Sequence, residues 1–317
     1  MSVALAESSA LHALRLMRAD NSLGRLSPIP ARRQRGKPTR GDIDHALKTL
    51  HPCPLPLVID VSDPGFRSRD HRVRSIVDAK PKPRNALLQV DRRLAVASPE
   101  MTYLQMHRSL SDIECIALAM ELCGAYIRTG TSAISYNQPP CTSVSKIRRA
   151  LSRLEHRENC ARALRNLAYV MDGSRSIRET QLSLMLSLPP RMGGYGFSDA
   201  VLNRAFDVSQ ALARPTCDCL RWADISWPAS NVAVEYDSDE FHSGADKISR
   251  DASRRTLLQA AGVTVIVVTN RQFKSITELD KAAHAIARAL GKRQRYRHPE
   301  HEPKKRALHA ALLSLGL

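Results

Sequence analysis

The chain has 317 residues, about twice the length of a typical domain, and 43% of them are hydrophobic against 25% charged. Such a chain can bury a core and is not a disordered polymer, and two domains are expected. Forty-eight Lys and Arg against thirty-one Asp and Glu leave a net charge of +17, a field that draws polyanions such as nucleic acid or an anionic membrane surface. The N-terminus lacks a signal-peptide pattern and no run of about eighteen uncharged apolar residues occurs, so a cytoplasmic protein without membrane spans is expected. Seven cysteines fall at irregular spacings, and the one close pair, Cys217 and Cys219, lacks a second pair to complete a zinc site; reduced, mostly buried thiols are expected.

In chain order, "LPLVIDVS" and "ALLQV" read as short strands. "SDIECIALAMELCGAYI" places Ile113, Ile116, Leu118, Met120 and Leu122 around a largely buried helix started by Ser111 or Asp112. Gly, Ser, Asn and two prolines interrupt helical periodicity between Arg128 and Lys146, which marks a domain boundary. Residues 1–135 therefore read as a mixed α/β N-terminal domain, 136–170 as a linker and basic helix, and 171–317 as the C-terminal domain with a basic tail. In the long segment from Ser143 to Met171, Arg148, Arg149, Arg153 and Arg157 recur near helical spacing, either tracking phosphates or forming a solvated face. The basic runs "PARRQRGKPTR" and "GKRQRYRHPEHEPKKR" read as flexible arms that find phosphates or merely solubilise.

The last 140 or so residues carry the most informative order. "SIRETQLSLMLSLP" is a helix bearing Glu179 and ended by Pro189 and Pro190. "RMGGYGF" is a glycine-rich turn, suited equally to a plain connection and to close approach of DNA. "CLRWADISW" and "NVAVEYDS" are hairpin strands about Pro228. "KISRDASRRTLLQAAG" is a helix stopped by Gly262, "VTVIVVT" a buried strand, and "SITELDKAAHAIARALG" a final helix. Trp222 and Trp227 are expected as core or strand-packing residues rather than as base-stacking platforms.

Six carboxylates and one histidine lie between Val232 and Asp251, a concentration of acid in a basic chain. Glu235 and Asp237 alternate onto one strand face, and pairing about Pro228 brings Asp224 of the preceding strand toward them. Crowded carboxylates raise one another's pKa unless a cation neutralises them, and Mg²⁺, a hard ion with oxygen ligands, suits Asp224, Glu235 and Asp237; Mn²⁺ is the related choice. His242 is placed to bind or protonate a phosphate or leaving oxygen. Asp251 and Arg254, one helical turn apart, form a surface ion pair, or Arg254 touches the substrate phosphate.

These residues, from Ser176 to Thr269, resemble the very-short-patch-repair-like endonuclease domains of the PD-(D/E)xK nuclease superfamily. The match is carried by Asp224, Trp227, Pro228, "VAVEYD", His242, Arg250, Asp251, Arg254, Leu258, Gly262 and "VVT" at Val267 to Thr269. The resemblance implies an α/β fold, a restriction-endonuclease-like mixed sheet flanked by helices, preceded here by a smaller mixed α/β domain. It further implies Asp224 as the metal-binding aspartate, Glu235 and Asp237 completing the acidic edge, His242 assisting phosphate chemistry, and Glu179 as the carboxylate of the first helix. The superfamily lysine is absent, since Asp237 ends "EYD", and Ser238 stands where close relatives often have glycine; Lys247 is a substitute from the next helix. Upstream, Arg92 to Met106 and the helix from Ser111 resemble the C-terminal region of abortive-infection antitoxin-type regulators. The first forty residues show no winged helix, so operator binding there is not expected. The expected function is Mg²⁺-dependent DNA cleavage. The alternative is a non-enzymatic DNA-binding or antitoxin-like regulator that keeps the fold as a scaffold; RNA is the second polymer that the positive field attracts.

Overall fold

The computed structural model describes residues 3–29, 36–129, 133–209, 219–237, 245–293 and 300–315. The chain is mixed α/β and divides into two compact units, Met1–Val170 and Met171–Leu317. No helix among the described residues is long and apolar enough to cross a membrane.

The N-terminal unit is built on strands β1 (Val3–Leu5), β2 (Ser27–Pro28), β3 (Leu57–Val61), β4 (Val73–Val77), β5 (Leu87–Gln89) and β6 (Leu94–Ala97). They form one mixed sheet in the order β2-β5-β6-β1-β3-β4, with β1 parallel to β6 and β3 parallel to β4. The run Leu-Val-Ile-Asp-Val of β3 is buried throughout, as a strand covered on both faces must be. Helix α1 (Glu7–Ala19) packs on β3 and on α3 (Pro99–Met106), while α2 (Arg40–Thr49) starts from a capping box between Thr39 and Asp42. Helix α4 (Asp112–Leu122) begins at Ser111, whose side chain and that of Glu114 cap each other's backbone N–H. It ends earlier than its apolar run implies, because Tyr126–Thr129 turns into β7 and pairs with β8 (Ala133–Tyr136).

The segment 136–170 is not a linker. It supplies α5 (Val144–Ser152) and α6 (Cys160–Leu167), which pack on α3 and α4 through buried Ile147, Leu151, Leu154, Cys160, Ala163 and Leu167. One long basic helix is replaced by two, broken where Asn159 takes a left-handed backbone at φ 63°.

The C-terminal unit runs α7 (Ile177–Ser187), β9 (Val201–Asp207), β10 (Leu220–Trp227), β11 (Val232–Asp237), α8 (Ala245–Ala260), β12 (Thr264–Thr269), α9 (Asn270–Lys274), α10 (Ile276–Ala289) and α11 (His301–Ser314). Its sheet has the order β12-β11-β10-β9: an antiparallel β9-β10-β11 meander, with β12 added parallel to β11 after the α8 crossover. The turn at Pro228–Ser230 closes the expected hairpin. Strand β9, the short helix α9 and helix α11 depart from expectation. Strand β9 is an addition, and part of the presumed basic tail is α11, which buries His301, Lys305, Leu308, His309 and Leu312 and packs on α7. In "RMGGYGF" Gly193 sits at φ 93°, and a Cβ on Gly194 would collide with the Leu188 carbonyl. This turn is packed against protein, as a plain connection is.

Candidate active site

The register of the meander assembles the site. Ile225 lies opposite Val234 and Ser226 opposite Ala233, so continuing one step sets Asp224 opposite Glu235. On the other edge of β10, Ala223 faces Arg204 and Ile225 faces Leu202, which sets Asp224 against Asn203. The Asp224 Oδ2 accepts the Tyr236 backbone N–H at 2.8 Å, so a carboxylate occupies the place where a ladder carbonyl would sit. Asn203 adopts φ 46°, a left-handed conformation that asparagine tolerates better than most residues. Its Nδ2 donates to Glu179 Oε2 at 2.6 Å and to the Gly173 carbonyl at 3.0 Å. Glu179, Asn203, Asp224 and Glu235 thus form one row across α7, β9, β10 and β11.

Glu179 is held on both oxygens. Ser176, the N-cap of α7, accepts the Glu179 N–H at 3.1 Å and donates its hydroxyl to Oε1 at 3.1 Å, and the Arg175 N–H reaches Oε2 at 2.9 Å. Burial pushes its carboxyl up, and these hydrogen bonds oppose that shift. A carboxylate so tied positions its neighbours.

Asp224 has a different balance. Burial and the neighbouring Glu179 charge push it up to about 6, against the Tyr236 N–H and the more distant Arg254 and Arg175. Among the described residues its one hydrogen bond is that from Tyr236. Glu235 is 2% exposed, and its carboxyl is also raised, by burial and by Asp224, while Arg254 and Arg255 pull it down. Arg255 Nε donates to Oε2 at 3.0 Å and Arg254 lies 3.3 Å from Oε1, a buried atom that accepts no hydrogen bond among the described residues.

Asp237 shares its strand side with Glu235, as alternation requires, yet its side chain is 47% exposed and pairs with Arg255 at 3.4 Å. No group of three or more His, Cys, Asp or Glu side chains among the described residues is arranged to hold a metal ion. Asp224 and Glu235, neighbours by register, are the oxygen donors that a hard cation would share, since Mg²⁺ commonly takes one or two carboxylates and keeps water or phosphate oxygens for the rest. His242 lies outside the described residues.

Of the presumed phosphate-binding arginines, Arg148, Arg149 and Arg153 are exposed in the N-terminal unit. Arg157 is not one of a set with them: it pairs with Asp78 and donates to the Lys80 and Pro81 carbonyls at 3.1 and 2.9 Å. Arg254 faces Glu235 and donates to the Trp222 carbonyl at 3.3 Å. Three contributors had no sequence signal of their own: Asn203, whose role depends on its backbone conformation; Arg255, one helical position beyond the arginine singled out; and Arg175, just before the α7 cap. Comparison with protein-family models, with curated proteins and with solved structures yields no match.

Proposed function

We propose that the C-terminal unit is a divalent-cation-dependent endonuclease domain that hydrolyses phosphodiester bonds in DNA, with a restriction-endonuclease-like arrangement of its sheet. The observation that carries this reading is that Asp224 and Glu235 sit one step beyond the Ile225–Val234 pair of β10 and β11 and are near enough for the Asp224 charge to push Glu235 up, with Asp224 itself pushed up to about 6. A buried carboxylate beside a partly buried one is unfavourable in itself, and a cation that both share relieves the cost. The element order, helix, three-strand meander, crossover helix, parallel strand, supports the same reading, as does the net charge of +17 that concentrates a polyanion around an acidic centre.

In this account Asp224 and Glu235 would hold Mg²⁺ or Mn²⁺, and the ion would supply a more acidic water and positive charge for phosphate oxygens. Glu179 and Asn203 fix the row in which Asp224 stands. Arg175 and Arg254 lie close enough to Asp224 to lower its pKa and bring positive charge to the place where a phosphate enters. Arg255 bridges Glu235 and Asp237 and holds the end of β11 in register with α8.

A second reading, a DNA-binding regulator that keeps this fold without catalysis, is favoured by one observation: guanidinium groups already neutralise Glu235 and Asp237. Cation dependence separates the two. The nuclease nicks plasmid DNA with Mg²⁺ or Mn²⁺, falls silent in EDTA, and is crippled by Glu235→Gln. A regulator binds the same DNA with an affinity that drops with salt and cuts under none of these conditions.

A further inference from the structure

The two tryptophans of β10 have opposite fates. Trp227 is 3% exposed and donates its Nε1–H to the Phe197 carbonyl at 3.1 Å, whereas Trp222 leaves 42% of its surface to solvent. Trp222 is therefore not a core residue, and a large indole left in water at a strand is a costly placement unless something covers it. Side chains alternate, so Trp222 stands on the same side of β10 as Asp224, about 7 Å along the strand. Leu220, 47% exposed, continues that side by a further step. Arg175 lies over the Trp222 ring, its Cζ 4.8 Å from the centroid, a cation–π contact. The same guanidinium acts through space on Asp224 and Glu179, and the Trp222 carbonyl receives Arg254. An apolar ring, a stacked cation and the carboxylate pair are thus contiguous.

We infer that Trp222, braced by Arg175, is a stacking platform for an unpaired base of a DNA strand whose phosphate lies at Asp224 and Glu235. The inference rests on the nuclease reading for the identity of the strand, and it adds a preference for single-stranded or locally opened DNA over closed duplex. Every base offers a π-face to an indole, while duplex DNA hides those faces in its stack. Arginine supplies the matching charge for the adjoining phosphate and stacks on either ring. The apolar exposure and the positive charge at this edge both fit such an occupant.

The test measures binding in EDTA, so cleavage plays no part. A fluorescein-labelled thymidine oligomer, the same oligomer with a central run of abasic residues, and the corresponding duplex are titrated against the full chain, Trp222→Ala and Trp222→Phe. The expected result is that the thymidine oligomer binds the unaltered chain about 10- to 100-fold more tightly than the abasic one. Trp222→Ala erases that gap without weakening abasic binding, and Trp222→Phe keeps most of it. Equal binding of thymidine and abasic oligomers by the unaltered chain, or a loss in Trp222→Ala that is the same for both, overturns the platform; the first of these needs no variant to fold. A protein that shows the gap but cuts nothing keeps the platform and loses the nuclease. A protein that cuts without showing the gap loses the platform alone.

Discussion

Each of the two units holds an aspartate pushed up to about 6, the buried Asp60 in β3 and the partly buried Asp224 in β10, and the two are built differently. Asp60 is 3% exposed and has its own cation: Lys82 Nζ is 3.2 Å from Oδ1, Lys82 also lies 3.6 Å from Asp78, and Arg157 closes the far side of Asp78. Burial raises Asp60, Asp78 adds repulsion, and Lys82 and Arg157 oppose both. Asp224 is raised by burial and by Glu179 and lowered by the more distant Arg254 and Arg175, but its contact partner is a backbone N–H, while Arg254 and Arg255 pair with Glu235. A raised carboxylate is therefore not by itself the mark of a functional site; what differs between the two is whether a cationic side chain is in direct contact. Asp60 has a lysine in direct contact, whereas among the described residues Asp224 has no ion pair in contact, and on the proposed function a cation from outside fills that place.

The largest effect expected from this contrast is in the closed cluster. Lys82→Met leaves Asp60 and Asp78 without their shared ammonium, and removing one member of a buried pair costs about 3 kcal/mol or more. Asp60 then moves further up, so the variant loses stability as pH rises above about 4 and recovers toward the unaltered chain as pH falls and the carboxyl is protonated. Chemical denaturation at pH 5 and pH 8 measures this, and an equal loss at both pH values contradicts the assignment. Arg157→Ala, which strands Asp78 and two carbonyls, is expected to cost about 2 kcal/mol by the same measurement. If Arg157 instead belonged to an exposed phosphate-tracking face, its removal would change stability by less than about 0.5 kcal/mol.

Asp224→Asn has the opposite sign. The folded pKa lies above the unfolded one, so ionisation destabilises the fold progressively between about pH 4 and pH 6. The asparagine variant can still accept the Tyr236 N–H and escapes that penalty. It is expected to be more stable than the unaltered chain by on the order of 1–2 kcal/mol above pH 6, and equal to it near pH 4. Mg²⁺ narrows the difference by raising the melting temperature of the unaltered chain alone. Smallest of all, replacing Arg148, Arg149 and Arg153 together leaves stability within about 0.5 kcal/mol, but flattens the salt dependence of DNA binding if these exposed side chains release counterions. An unchanged slope assigns them to a solvated surface.

The C-terminal unit was legible where local pattern and fold agree. Pro228 fixed the hairpin, the hairpin fixed Asp224 against Glu235, and the β-branched run Thr264–Thr269 announced its strand. Strand β9 was hidden because Asn203 and Arg204 interrupt its alternation, and Asn203 gains its role from a backbone conformation that no spacing encodes. The burial of α11 runs through His301, Lys305, Leu308, His309 and Leu312, a helical period masked by charged and imidazole side chains at core positions. Trp222 and Trp227 differ in parity relative to Trp222's neighbour Asp224, and only packing decides which parity meets the core. In the N-terminal unit β3, β5 and α4 were visible, but the sheet joins β1 to β6 across some ninety residues, and such pairings leave no local trace.

The most direct test is single-turnover cleavage of single-stranded and supercoiled DNA in Mg²⁺ and Mn²⁺ by the unaltered chain, Asp224→Asn and Lys82→Met, each assayed below its melting temperature. The account predicts cutting by the unaltered chain and by Lys82→Met, and a rate at least about 100-fold lower for Asp224→Asn with DNA binding retained, because a cation-binding carboxylate acts mainly on charge that develops in the transition state. Equal rates for the unaltered chain and Asp224→Asn, or no cutting by either with any substrate or cation, would contradict it.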